Sequence, residues 1–263
     1  NEMSLSAIVI GIDSDEINFT LKSFCGTRGN IDEIIVVHSC QSFELNRLLE
    51  DTLHFPAIHS FRTEKLGICA AFNHGLQMST SEYIVYVNSG DELIPDGLIS
   101  AAKILSTSPS VVSSAVSIYS PTTKTISLWT GLDSKGRIVQ IHQQGTIYKK
   151  SLHDIHGTYS SLFKCAMDTA FFESILSSKI NCTIAYNANP VVKFHEGGTS
   201  YINKHQTVLE YSFIKILKSK SPVRDFFASL PLLSSKLIAL KIMQKIHFPS
   251  LIVFPRYLRK LIN

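Results

Sequence analysis

Residues 83–93 read YIVYVNSGDEL, a buried run of strand formers that leads into a turn and one isolated carboxylate. Tyr83, Ile84, Val85, Tyr86 and Val87 are β-branched or aromatic, as a core strand prefers. Asn88, Ser89 and Gly90 are turn formers, and Gly90 relaxes the backbone just where Asp91 appears. Two readings of Asp91 follow. It caps a helix that starts near Pro95, or it is a metal ligand held at the carboxyl edge of a sheet.

Working outward, the first hundred residues alternate strand-like and helix-like patterns. Ser6–Gly11 and Glu33–His38 are short apolar runs of strand length. Between them Ser14–Phe24 spaces Ile17, Leu21 and Phe24 helically, with Asp15 and Glu16 in the first turn. A second helical pattern covers Phe43–Leu53, a short strand Ala57–Ser60, and a further helix runs from about Gly67 to Met78. The order β-α-β-α-β-α-β implies a parallel sheet flanked by helices. Ligands of such sheets bind beyond the carboxyl ends of the strands, where His38 and Asn88–Asp91 fall.

The middle of the chain changes character. Val111–Tyr119, Thr125–Trp129 and Gly145–Tyr148 read as strands separated by turns, which suggests antiparallel additions. Ala166–Ser178 is an apolar-rich helix with Asp168 near its start, and Val191–His195 is a strand running into Glu196, Gly197 and Gly198. Helices are expected over Lys204–Lys218, Val223–Ser229 and Ser234–His247, broken by Pro222, Pro231 and Pro249.

Composition fits this picture. The 263 residues are 44% hydrophobic and 17% charged, which predicts a substantial core and excludes wholesale disorder. Five cysteines without C-x-x-C spacing point to buried thiols in a reducing compartment, not to a disulfide framework or a zinc site. Residues 201–263 hold 11 Lys/Arg against 2 Asp/Glu, whereas residues 1–200 hold 14 against 19. The basic residues of the tail sit among Leu, Ile and Phe, a mixture suited to an anionic membrane surface rather than to nucleic acid. Helices packed on the body or in a homo-oligomer are the other reading. No apolar run reaches about 18 uncharged residues, so nothing in the sequence need span a bilayer.

Three passages together resemble the family 2 glycosyltransferases of bacterial surface-polysaccharide synthesis. GICAAFNHGL (Gly67–Leu76) is similar to a segment of that group, and YIVYVNSGDEL is similar to its strand with an N-S-G-D form of the D-x-D motif. The third passage, HQQGTIYKKSL followed by GTYSSLFKCAMD (His142 to Asp168), resembles the acceptor-side segment. The resemblance implies the GT-A fold: a mainly parallel α/β sheet with helices, a catalytic domain over 1–200 and a basic helical region over 201–263.

It also implies an inverting enzyme that moves a sugar from a nucleoside diphosphate, a UDP-sugar, to a saccharide acceptor carried on a polyprenyl lipid. The place implied is the cytoplasmic face of the membrane. Asp168 becomes the base for the acceptor hydroxyl, and Asp91 the ligand of Mn2+ or Mg2+, with His195 as a second ligand. Donor-side candidates are His38, Arg62, Asn73, Asn88, Ser89, Gly90 and Asp91. His195, Glu196, Gly197 and Gly198 form a loop over the donor, and His142, Gln143 and Gln144 face the acceptor. Glu92 is expected to be solvated, Trp129 to lie in the core, and Asp168 read alone is an ordinary helix-start charge. Two rivals stand beside this reading: a sugar nucleotidyltransferase, and an inactive GT-A-like domain that binds saccharide or membrane.

Overall fold

The computed structural model describes residues 4–25, 27, 30–40, 58–63, 67–198 and 202–217. Among them nine strands form one sheet: β1 (Leu5–Gly11), β2 (Glu33–His38), β3 (Ile58–Arg62), β4 (Tyr83–Asn88), β5 (Glu92–Leu93), β6 (Val111–Ser120), β7 (Thr125–Trp129), β8 (Ile147–Lys149) and β9 (Ile184–His195). The helices are α1 (Ser14–Lys22), α2 (Ile68–Met78), α3 (Pro95–Leu105), α4 (Leu152–His156), α5 (Met167–Leu176) and α6 (Lys204–Leu217). The helices expected over 43–53, 223–229 and 234–247 lie outside the described residues.

The sheet order is β3-β2-β1-β4-β8-β6-β9-β5, with β7 attached to β6. β3, β2, β1 and β4 are all parallel. Beyond β4 the pairing is mixed: β8 is antiparallel to β4 and β6, β9 is parallel to β6, and β5 is antiparallel to β9. The fold is thus an α/β sheet flanked by helices, with a parallel half over β3, β2, β1 and β4 and a mixed half in which β7 and β8 are the antiparallel additions.

Alternation along the strands builds two cores, one on each face. Ala7 and Val9, Ile34 and Val36, and Tyr83, Val85 and Val87 point to the side of α1 and α3. Ile8 and Ile10, Ile35 and Val37, and Ile84 and Tyr86 point to the side of α2, α4 and α5. Each fully buried Val or Ile among them contributes about 1.5–3 kcal/mol. Two tyrosines of β4 satisfy their hydroxyls on backbone: Tyr83 donates to Pro109 O at 2.8 Å and Tyr86 to Phe72 O at 2.9 Å.

β9 is longer than the apolar run Val191–His195, because polar residues upstream find partners on α3, which packs against the strand. The Asn187 amide donates to Gly97 O at 3.1 Å, and its oxygen accepts from the Ser100 hydroxyl at 3.0 Å. Gly97 lets α3 lie this close, since a Cβ there would stand 1.9 Å from Pro190 O. The register shift between Ser114 and Val116 takes up the irregular stretch.

No disulfide joins any of the five cysteines; Cys40 is buried and the other four are half-buried. Trp129 is 8% exposed, a core position. Among the described residues no helix is long and apolar enough to cross a membrane.

Candidate active site

Parallel pairing carries the donor-side candidates to one edge. Gly11 pairs with His38 and His38 with Arg62, while Ile10 pairs with Asn88, so the strands end together. His38 is 6% exposed, and burial followed by the Arg62 charge pushes its pKa down, which keeps the imidazole neutral. Arg62 is exposed beside it.

The turn after β4 is held by α1. Asp13 starts that helix by accepting from the Asp15 and Glu16 N–H groups at 2.9 and 3.0 Å. One turn further, Thr20 accepts from the Gly90 N–H at 2.9 Å and donates to Asn88 O at 3.3 Å. Ser89 donates to Glu16 Oε2 at 3.4 Å. Gly90 has φ of 87°, a left-handed conformation that a side chain would strain. The turn then delivers Asp91 to the mouth of β5.

Asp91 does not cap α3. That helix begins with Ile94 as its N-cap and Pro95 in its first turn, without a side-chain cap. Antiparallel pairing of β5 with β9, with Glu92 opposite Lys193, instead brings Asp91 against the end of β9. Its Oδ1 accepts from the His195 backbone N–H at 2.9 Å, and its Oδ2 is buried with no hydrogen-bond partner. Burial lifts the Asp91 pKa to about 8 against that one hydrogen bond, with the Glu16 and Glu92 charges adding to the rise. An unpartnered carboxylate oxygen in a buried site suits a hard divalent cation. Among the described residues no group of three or more His, Cys, Asp or Glu side chains could hold a metal by itself.

His195 presents its backbone to Asp91 and turns its ring elsewhere. Nε2 lies 2.8 Å from Glu92 Oε1, and Lys193 Nζ shares the same oxygen at 2.8 Å. The ring packs edge-on to Phe19 at 5.8 Å and against Tyr119 at 5.0 Å. Glu92 is therefore paired, not solvated as expected. Burial works to raise its pKa, but the Lys193 and His195 contacts outweigh this and hold it low. Glu196 follows with its N–H on Tyr119 O at 3.0 Å, and Gly197 and Gly198 are exposed with open space around them.

The acceptor-side triplet divides. Gln143 is 2% exposed and donates to the Tyr159 hydroxyl at 2.8 Å, in a buried chain that continues to Tyr148 at 2.6 Å and His153 at 3.2 Å. His142 packs between Trp129 and Phe194, with ring centroids 5.2 and 6.0 Å away. Burial lowers its pKa to about 4, so it stays neutral. Gln144 keeps a buried Oε1 without a partner beside Tyr86 of β4. Asn73, expected on the donor side, clips the Tyr159 backbone instead. Its amide donates to Tyr159 O at 2.9 Å and its oxygen accepts from the Tyr159 N–H at 3.0 Å.

Asp168 occupies the first turn of α5. Burial lifts its pKa to about 6, against hydrogen bonds from its own N–H and from Thr169; the Glu210 charge adds to the rise. It is both a helix-start acid and a carboxyl of raised basicity. Thr20, Phe19, Tyr119 and Glu210 were not legible as site residues, because each arrives from a distant element with no local motif.

A curled α/β sheet whose acidic turn meets the end of a late strand defines a GT-A glycosyltransferase fold. The same fold occurs in Staphylococcus aureus TarS. The TarS 1–349 fragment solved with UDP-GlcNAc superposes with a TM-score of 0.63 at 15% identity, covering 85% of this chain and 69% of that one. The fragment solved with UDP gives 0.61 at 14%, covering 85% and 68%. A longer TarS chain gives 0.61 at 16%, with 85% of this chain covered and 41% of that one. No curated protein matches the sequence. The profile of glycosyl transferase family 2 matches residues 9–171, and the chain belongs to that family.

Proposed function

We propose that the chain transfers a sugar, with inversion, from a UDP-sugar to a saccharide acceptor borne on a polyprenyl lipid. The observation that carries this reading is Asp91: a buried carboxylate with one unpartnered oxygen, at the carboxyl edge of the parallel strands. TarS was solved with UDP and with UDP-GlcNAc, which supports the choice of donor.

His38 and Arg62 receive the nucleotide, the first as a neutral ring and the second as a cation near phosphate. Asn88, Ser89 and Gly90 line the donor, and the loop His195–Gly198 covers it. A divalent cation, Mn2+ or Mg2+, on Asp91 would neutralise charge on the departing diphosphate. Asp168 accepts the proton of the acceptor hydroxyl as that oxygen bonds to the anomeric carbon. The bond from that carbon to the diphosphate oxygen breaks, and its electron pair leaves with the diphosphate. His142 and Gln144 offer polar atoms to the acceptor, whereas Gln143 is committed to Tyr159. Asn73 likewise serves the fold rather than the donor.

The deciding experiment is a panel of nucleotide sugars with and without Mn2+, read by transfer and by thermal protection. One donor should protect and turn over, and Asp91→Ala should abolish transfer while circular dichroism stays native. A chain that no nucleotide sugar protects is not this enzyme. The membrane role is drawn from the basic, apolar residues 201–263, of which 201 and 218–263 lie outside the described residues, and would put the enzyme at the inner membrane face. Flotation with anionic liposomes should fail when 218–263 are removed, and equal flotation sinks the membrane role.

A further inference from the structure

α6 reaches the helix that carries Asp168 through one buried acid. Glu210 is 6% exposed, and both its oxygens are used. Oε2 accepts from the Cys165 N–H at 2.8 Å and the Ala166 N–H at 2.9 Å. Oε1 accepts from the Lys164 N–H at 2.9 Å and from Gln206 Nε2 at 2.7 Å. These amides lead directly into α5, whose N-cap, Ala166, has no side chain able to cap it. A carboxylate from 44 residues downstream supplies what the local sequence lacks.

The two acids share one run of backbone. Glu210 holds the N–H groups of residues 164–166, immediately before the first turn of α5 that carries Asp168. Burial acts to raise Glu210, but its four hydrogen bonds prevail and hold it ionised. A fixed negative charge thus stands next to Asp168. Other groups facing Asp168 are Tyr211 from α6, Tyr148 from β8, and Tyr159 and Cys165 from the segment before α5. Burial pushes each of these up, so they stay neutral near pH 7 and Glu210 is the charge that bears on Asp168.

We propose that Glu210 is a positioning residue for the acceptor-activating base, clamping residues 164–166 so that Asp168 is fixed in place beside a permanent negative charge. The inference rests on Asp168 being that base. It makes the first helix of the basic tail part of the catalytic body.

The test compares Glu210→Gln, Gln206→Leu and Asp168→Asn in the full chain, using the donor that turns over. Gln cannot accept from both sides of the clamp, because its amide would face the Lys164 N–H. Glu210→Gln should lower kcat at least about tenfold with donor KM within about twofold. Its acid limb of kcat/KM should move to lower pH, since a like charge has gone. Gln206→Leu leaves the charge in place and loosens one hydrogen bond, so it should lower kcat less and leave the limb unmoved. An unchanged kcat and limb in Glu210→Gln, with only Tm reduced, overturns the inference and leaves a plain helix cap. If Glu210→Gln fails to fold, Gln206→Leu with unchanged kcat overturns it instead. Full activity in Asp168→Asn overturns the base assignment itself, which is a separate result.

Discussion

Replacing Asp91 by asparagine should make the protein both inactive and more stable. Asp91 is 3% exposed, and burial carries its pKa from 3.8 to about 8. A group whose folded pKa lies above its unfolded one contributes stability in full below the unfolded value. That contribution is lost as the pH climbs to the folded value. Each unit is worth about 1.4 kcal/mol, so by pH 7 the loss is on the order of 4 kcal/mol. Asparagine keeps an oxygen for the His195 N–H but places an amide where Oδ2 has no partner, which costs about 1–3 kcal/mol. The net gain at pH 7 is about 1–3 kcal/mol, or a Tm higher by roughly 2–10 °C for a chain of this size. Thermal unfolding of both proteins in EDTA, stepped from about pH 5 to pH 9, measures it. The gap should widen with pH and level off above about pH 8. A gap that ignores pH, or a variant less stable than wild type at pH 8, refutes the buried, raised carboxyl. The same proton must leave when a divalent cation binds, so apparent Mn2+ affinity should rise about tenfold per pH unit up to about pH 8. Mn2+ should protect the wild type and not the variant.

Two further outcomes follow from the same geometry. Asp168 accepts a proton only when ionised, so kcat/KM should rise with pH through about 6. Asp168→Asn should lower kcat by about 10²–10⁴ with little change in donor KM, as steady-state kinetics will show. Asn73→Leu severs both hydrogen bonds to the Tyr159 backbone and should destabilise the fold by about 2–4 kcal/mol in urea titration. A donor KM that rises sharply in Asn73→Leu, with Tm unchanged, returns Asn73 to the donor side.

The strands were legible because burial on two faces leaves a continuous apolar run, and the runs at 6–11, 33–38 and 83–87 needed no tertiary knowledge, each within a residue of the observed strand. Asp91 was legible as a position, since strand, turn and glycine place it at the sheet edge whatever it binds. Its partner was not legible. The His195 N–H lies 104 residues on, and nothing in KFHEGG says that the backbone, not the ring, would face Asp91. The partner of Asn73 was hidden for the same reason: a polar side chain in a familiar segment looks free until a distant peptide claims it. Glu210 gave no signal at all, being one acid among lysines, and its meaning comes from three amides 44 to 46 residues upstream.

The four acids show why residue type alone could not sort the site. Glu92 has Lys193 and His195 on one oxygen, Glu210 has donors on both oxygens, and each is held ionised below its ordinary range. Asp91 and Asp168 sit next to them with too few donors for their burial, and both are lifted. Each raised carboxyl therefore has a fixed anion beside it, which keeps it from ionising early. Pairs of acids driven apart in this way divide labour: one stabilises structure, the other is left free to exchange a proton or bind a cation. Moving the hydrogen bonds would exchange the roles without changing a single acidic residue. The contrast among these four acids thus resides in where Lys193, the His195 ring and the 164–166 amides are spent, and in the burial left uncompensated at Asp91 and Asp168.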